Sequence, residues 1–174
     1  MGRPYDRYAD LASANFSMVR AVFLRDGYHQ SMLFLFRKGN FVRMSGIEVE
    51  TVQEKYLIMR RLANELTMTG ADAAILVGET WRAPADKLAP YERPADSPHR
   101  TEELFLYLAG KEIEPVTFHS EIIRADGRVS LEEAEMVTGS ALFVFAPFYA
   151  AWERPVPADW LGRGNSLAAG GKQS

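Results

Sequence analysis

Glu103, His119 and Glu121 are the residues of this chain whose types and spacing suit chemistry. His119 and Glu121 stand two apart, and residues two apart on a strand point to the same side. If the strand holding Glu103 pairs with theirs so that Glu103 faces Glu121, the two β-carbons come within about 5 Å. One imidazole and two carboxylates so placed can hold a divalent metal and activate a water, the equipment of a metal-dependent hydrolase or nuclease. The competing reading is a solvated polar face on which Arg82 lies near Glu103 and offsets the carboxylates. That reading is preferred, because metal sites usually show a second, supporting motif. His29 and His99 stand far off in sequence, and neither a His-Glu-x-x-His helix nor a Ser-His-acid set accompanies the three. No cofactor is implied, and the balance leans away from an enzyme.

Three runs must position these residues: 73–82 (AAILVGETWR), 102–110 (EELFLYLAG) and 114–124 (EPVTFHSEIIR). Each is rich in β-branched or aromatic residues and bounded by Gly, Pro or Asp, the punctuation of strands. The short turn 111–113 predicts a hairpin with Leu106 near Phe118 and Glu103 near Glu121. Alternation then places Leu104, Leu106, Leu108, Val116, Phe118 and Ile122 on one side, with Ile75, Val77 and Trp81, and that side is the expected core. The other side carries Arg82, Glu103, Phe105, Tyr107, His119 and Glu121, and is expected to be open. It is the expected binding face. Phe105 and Tyr107 beside Arg82 would also serve as a stacking platform for single-stranded nucleic acid.

Glu79 falls on the core side by alternation, where an unpaired carboxylate would be costly. It should therefore lie near the margin of the sheet or find a cation or backbone donors. Arg100 is the available cation if its loop folds back.

Around this sheet, 4–25 reads as a helix with Tyr8, Leu11, Met18, Val19 and Val22 at helical spacing, ended by Asp26-Gly27. Residues 31–38 and 41–45 flank Gly39-Asn40 and read as a β-hairpin. Ser45-Gly46-Ile47-Glu48 has the form of a capping box, with Met44 and Val49 as its staple. The helix that follows runs to about Thr69 and stops at Gly70, with Val52, Tyr56, Met59, Ala63 and Leu66 as the stripe that covers the core side of the sheet. The loop 83–101 holds four prolines and reads as a solvated excursion or a binding loop. After the turn at Asp126-Gly127, residues 130–137 read as a short capped helix. Residues 140–152 (SALFVFAPFYAAW) are the most apolar stretch, read as a helix or extended segment docked on the core, disturbed near its end by Pro147, or else as a surface for a partner. From 154 the composition turns to Pro, Gly, Ser and Ala, a flexible tail.

The expectation is an α+β fold in one domain, 1–153, with a tail 154–174: an antiparallel sheet of about five strands in the order α-β-β-α-β-β-β, one face covered by the long helix. A length of 174 residues and 47% hydrophobic content suit one core. A net charge of -3 argues against nucleic acid as a partner. Cysteine is absent, which excludes thiol catalysis, disulfides and thiolate zinc sites. The start, MGRPYDRYADL, lacks the apolar core of a signal peptide, no stretch is long enough to span a bilayer, and the expected location is the cytoplasm. Residues 122–133 echo a calcium loop, but Ile122 and Arg124 stand where ligands belong. Gly171-Lys172-Gln173-Ser174 resembles the end of a phosphate loop without its strand and helix.

The stretch 73–127 resembles a family of uncharacterised phage and bacterial proteins in which a strand ending in Glu-x-Trp precedes a Pro-rich loop and a Ser-x-x-Arg-x-Glu-x-Leu segment. The matching residues are Glu79, Trp81, Ser97, Arg100 and Glu102 or Glu103, closed by Arg124 and Asp126-Gly127. Pro98-His99 departs from the acidic residue expected before the arginine. The resemblance implies a fold unit and no chemistry. The element order is also similar to the profilin-like Roadblock modules, which are small, regulatory and dimerising. The resulting expectation is a non-enzymatic binding or dimerising module with a protein partner or a second copy, working through the open sheet face, the Pro-rich loop or the apolar segment 140–152.

Overall fold

The first described element is a helix, α1 (Pro4–Asp26), whose buried residues Tyr8, Ala12, Phe16, Val19 and Phe23 recur at steps of three and four. The computed structural model describes residues 4–49, 51–89, 93–160 and 162–163. Gly27, in the left-handed region at φ 78°, closes α1 by donating to the Phe23 carbonyl at 2.7 Å. Of the expected stripe, Met18 points outward and stays 65% exposed; Phe16 and Phe23 take the core places.

The hairpin β1 (Met32–Arg37) and β2 (Asn40–Gly46) turns at Lys38-Gly39, one residue earlier than the Gly39-Asn40 pair suggested. Both turn residues have positive φ, 49° and 78°, as a tight hairpin turn requires. A lysine tolerates this because its amide donates to the Asp72 carboxylate at 3.0 Å, while the Gly39 amide donates to the Tyr8 hydroxyl at 2.7 Å. Tyr8 in turn donates to Asp72 at 2.6 Å, and burial together with that carboxylate pushes its pKa up to about 12.

Helix α2 (Val52–Thr69) starts at a different capping box from the expected one: Thr51 and Glu54 exchange side-chain and backbone bonds. Ser45 and Gly46 belong to β2 instead, because the Ile47 amide donates to the Ser31 carbonyl at 2.8 Å and carries the ladder past them. The end of α2 is the expected one, Gly70 at φ 66°. The side chain of Val52 lies outside the described residues.

Strands β3 (Ala73–Arg82), β4 (Thr101–Gly110) and β5 (Ile113–Ala125) form the meander the sequence describes. Its register is the expected one, Leu106 facing Phe118 and Glu103 facing Glu121. Among the described residues the sheet has seven strands rather than about five, ordered β2-β1-β3-β4-β5 with β6 (Arg128–Leu131) and β7 (Glu135–Thr138) both on the outer side of β5. The expected helix at 130–137 is therefore overturned. The open edge of β5 offered these residues a ladder, and a short acidic segment with about two turns of helix could not compete with it.

Both faces of the sheet are covered: the face expected to lie under α2 is sealed by α1, and the face expected to stay open is covered by α2. The alternation was correct: Ile75, Val77, Leu104, Leu106, Leu108, Val116 and Ile122 share a core, with Trp81 alone staying 43% exposed. That core is sealed by α1. The stripe of α2, with Tyr56, Met59, Ala63 and Leu66 buried, lies on the opposite side, where Met59, Ala63 and Leu66 share a cluster with Leu33, Leu35, Leu76, Phe105 and Tyr107. A short 3-10 turn (Phe143–Phe145) and helix α3 (Ala146–Ala151) complete that layer. Residues 140–152 are thus docked on the core, and Pro147 stands in the first turn of α3, a position its missing amide suits, rather than disturbing its end.

The loop between β3 and β4 contains 3-10 turns at Ala85–Lys87 and Pro94–Asp96, and Ser97 is buried. Past α3, Arg154 donates to the carbonyls of Gly110 and Ile113, and Trp160 packs edge-on against Phe143. Residues 164–174, including the Gly171-Lys172 stretch, lie outside the described residues.

Candidate functional site

Three of the expected site residues meet at the rim where β3 ends and β4 begins. The Arg82 guanidinium donates to Glu103 at 3.2 Å, and the Glu103 carboxylate lies 3.5 Å from Nδ1 of His119. The register brings this about, since Thr80 faces Glu103 and Phe105 faces His119. Nε2 of His119 lies 3.7 Å from Glu135 of β7. Glu121 faces Glu103 in register and remains partly exposed. These side chains do not assemble into a ligand set: among the described residues, no group of three or more His, Cys, Asp or Glu side chains is placed to hold a metal ion. Glu103 is instead engaged by a cation and an imidazole of its own chain.

Phe105 and Tyr107, expected at the centre of an open face, are buried beneath α2 and α3. The Lys55 ammonium of α2 sits 5.9 Å above the Phe105 ring, and burial lowers its pKa. The Tyr107 hydroxyl bonds the Tyr149 hydroxyl at 2.6 Å and accepts the Leu142 amide at 3.2 Å. Burial raises the pKa of both tyrosines. The face that alternation called polar is an aromatic core whose hydroxyls are satisfied internally. An open platform for stacking or binding is therefore not available there.

On the opposite face of the same rim, Glu79 behaves as a marginal carboxylate should. It accepts the His29 amide at 2.5 Å and lies 3.6 Å from Arg124. The cation is Arg124 and not Arg100, which stacks instead over the Trp81 ring at 4.7 Å. Arg124 grips Glu102 with two bonds of 2.8 Å, donates to the Gly27 carbonyl at 3.1 Å and covers the Phe23 ring at 5.7 Å. The two carboxylates are driven apart: burial raises the pKa of Glu79, while the Arg124 bonds lower that of Glu102. Such a split can mark an acid and base pair. Here the guanidinium fork is occupied and ties the end of α1 to the sheet, so the arrangement works as a clamp. The Glu102–Arg124 pair was legible in the register, being a diagonal neighbour pair across β4 and β5. Glu135 was not, because its strand was read as a helix.

Exposed apolar side chains stand on both outer strands, Phe41, Val42 and Met44 on β2 and Met136 and Val137 on β7. Phe41 is 58% and Met44 53% exposed, with Val42 between them, and β2 is an outer strand. Phe41 packs edge-on against Phe36, and Met44 lies beside the half-buried Phe34. A shallow depression of about 540 Å³, lined by Gln30, Ser31, Ile47, Glu48, Val49 and Glu54, adjoins the end of this strand.

No helix among the described residues is long and apolar enough to cross a membrane. No curated protein and no solved structure matches the chain. The family model of bacteriophage lambda protein ea47 matches residues 2–168, nearly the whole sequence, and the chain belongs to that phage protein family.

Proposed function

We propose that this protein is a non-enzymatic binding module that makes its contact through the hairpin edge at β2, not through a sheet face or the segment 140–152. The observation that carries the proposal is the apolar edge strand itself: Phe41, Val42 and Met44 are exposed on a strand whose outer side is paired by no other strand among the described residues. The covered faces support it by removing both sheet faces as binding surfaces. The hydrolase reading is disfavoured because Glu103 is held by Arg82 and His119 within the chain.

Thermal unfolding with Mg²⁺, Mn²⁺ or Zn²⁺ separates the two, since a resident ion stabilises the folded state by mass action. The expected result is an unchanged midpoint with each ion and no hydrolysis of phosphodiester or ester substrates. A rise of several degrees that disappears in His119→Ala would overturn the non-enzymatic reading.

A further inference from the structure

We infer that Lys55 is a covalent binding site for small carbonyl compounds, its amine holding an aldehyde reversibly as an imine. Lys55 stands on α2 four residues before Met59 and seven before Leu62, on the stripe that packs against the sheet. A lysine on such a stripe ordinarily finds a carboxylate or carries its head out to water. Lys55 does neither. Its ammonium lies 5.9 Å over the ring of Phe105, itself only 7% exposed, and the residue is half-buried. No carboxylate lies within ion-pair reach of it among the described residues, whereas Arg43, Arg82 and Arg124 each hold a glutamate. In the ladder Phe105 lies between Gly78, which has no side chain, and His119, whose imidazole stands between Glu103 and Glu135. Those two carboxylates are drawn to the imidazole and not to the lysine.

An amine in such a place is a nucleophile. Desolvation without a counter-charge disfavours the ammonium form, and burial accordingly lowers the pKa of Lys55, so a larger share of it carries a free lone pair at neutral pH. Partial exposure gives a small reagent its access, and the ring beneath favours an apolar group on the carbonyl over a charged one. In the reaction the Lys55 nitrogen attacks the carbonyl carbon, the C–N bond forms as the carbonyl π bond opens, and a proton passes from nitrogen to oxygen. Loss of water then leaves the imine. Every step reverses on dilution, so the site binds and releases without consuming its ligand.

Reductive trapping on the whole chain tests this, with acetaldehyde as the carbonyl compound and cyanoborohydride to turn each imine into a stable ethylamine at neutral pH. Peptide mapping by mass spectrometry then reads every lysine separately. The expected result is that Lys55 is labelled severalfold faster than Lys38, Lys87 and Lys111, although those three are exposed and it is not. The preference should vanish in urea, where unfolding returns all four to water, and Lys55→Arg should remove the fast label while leaving the far-ultraviolet spectrum and the slow labels unchanged. Labelling of Lys55 no faster than that of the exposed lysines overturns the inference, and so does a preference that persists in urea, because it would then come from the neighbouring sequence and not from the fold. None of these outcomes depends on the contact at β2.

Discussion

The two faces of the sheet are both buried but are built from different materials. Under α1 the sheet contributes mostly aliphatic side chains, with Ile75, Val77, Leu104, Leu106 and Leu108 beside Phe36, meeting Ala12, Phe16, Val19 and Phe23. Under α2 and α3 it is more aromatic and partly polar, with Tyr107, Phe145, Phe148, Tyr149 and Trp152 packed edge to face and their polar tips bonded inward. The indole of Trp152 donates to the Ala71 carbonyl at 2.9 Å. An aliphatic face announces its burial in the sequence, whereas tyrosine, histidine and glutamate on alternate positions suit either solvent or a satisfied interior. Polar alternation therefore signals which residues share a side, and not whether that side is wet.

The sharpest way to break this comparison is Phe148→Ala. If the second face is a true core, the substitution costs about 3–5 kcal/mol, as large-to-small changes of buried aromatics do. Urea unfolding giving a loss below about 1 kcal/mol would restore the open face, since an exposed site tolerates such a change.

Tyr107→Phe probes the polar part of that core at a smaller scale. It leaves the Tyr149 hydroxyl and the Leu142 amide without their partner, so the expected loss is about 1–3 kcal/mol. Tyr149→Phe should cost less, because Tyr107 keeps the Leu142 amide. Equal losses measured in the two variants would show that the amide bond adds nothing.

Thr51→Ala removes the cap of the helix that seals this face and should cost about 1 kcal/mol. Ser45→Ala should be nearly silent, its hydroxyl standing in β2 with no cap to make. The reverse ranking in thermal unfolding would move the helix start back to Ser45.

The smallest effect lies at the rim and appears as a change of slope with pH. Glu79 has a raised pKa in the folded protein, so its contribution to stability is fully present below its unfolded value and is lost as pH rises through the folded one. Glu102 has a lowered pKa, so its contribution is present above its unfolded value and is lost as pH falls through the folded one. Glu79→Gln should flatten the decline above the ordinary glutamate range, and Glu102→Gln should flatten the decline below it. Stability curves across pH 3 to 7 that respond to both variants in the same direction would mean that the two carboxylates do not differ as described.

The sequence by itself determined what local chemistry controls. The meander with its register, the ending of α2 at Gly70, the turn at Asp126-Gly127 and the α1 side of the sheet follow from alternation, turn residues and short spans of chain. The marginal position of Glu79 followed too, from the cost of burying a lone carboxylate. Where two local signals compete, the sequence chose wrongly: Ser45 and Thr51 both head a capping box, and only the β1 ladder running on to Ile47 decides between them. The tertiary structure decided what depends on distant partners. Glu135 became a strand residue beside His119 because β5 had an open edge, Phe105 and Tyr107 became core because α2 and residues 140–152 lay down on them, and β2 was left with its apolar side chains in solvent because nothing in the chain reaches its outer side among the described residues. Each of these is a competition between a local preference worth a fraction of a kcal/mol per residue and burial worth about 1.5–3 kcal/mol for each large side chain, so the long-range term wins wherever the topology supplies a partner.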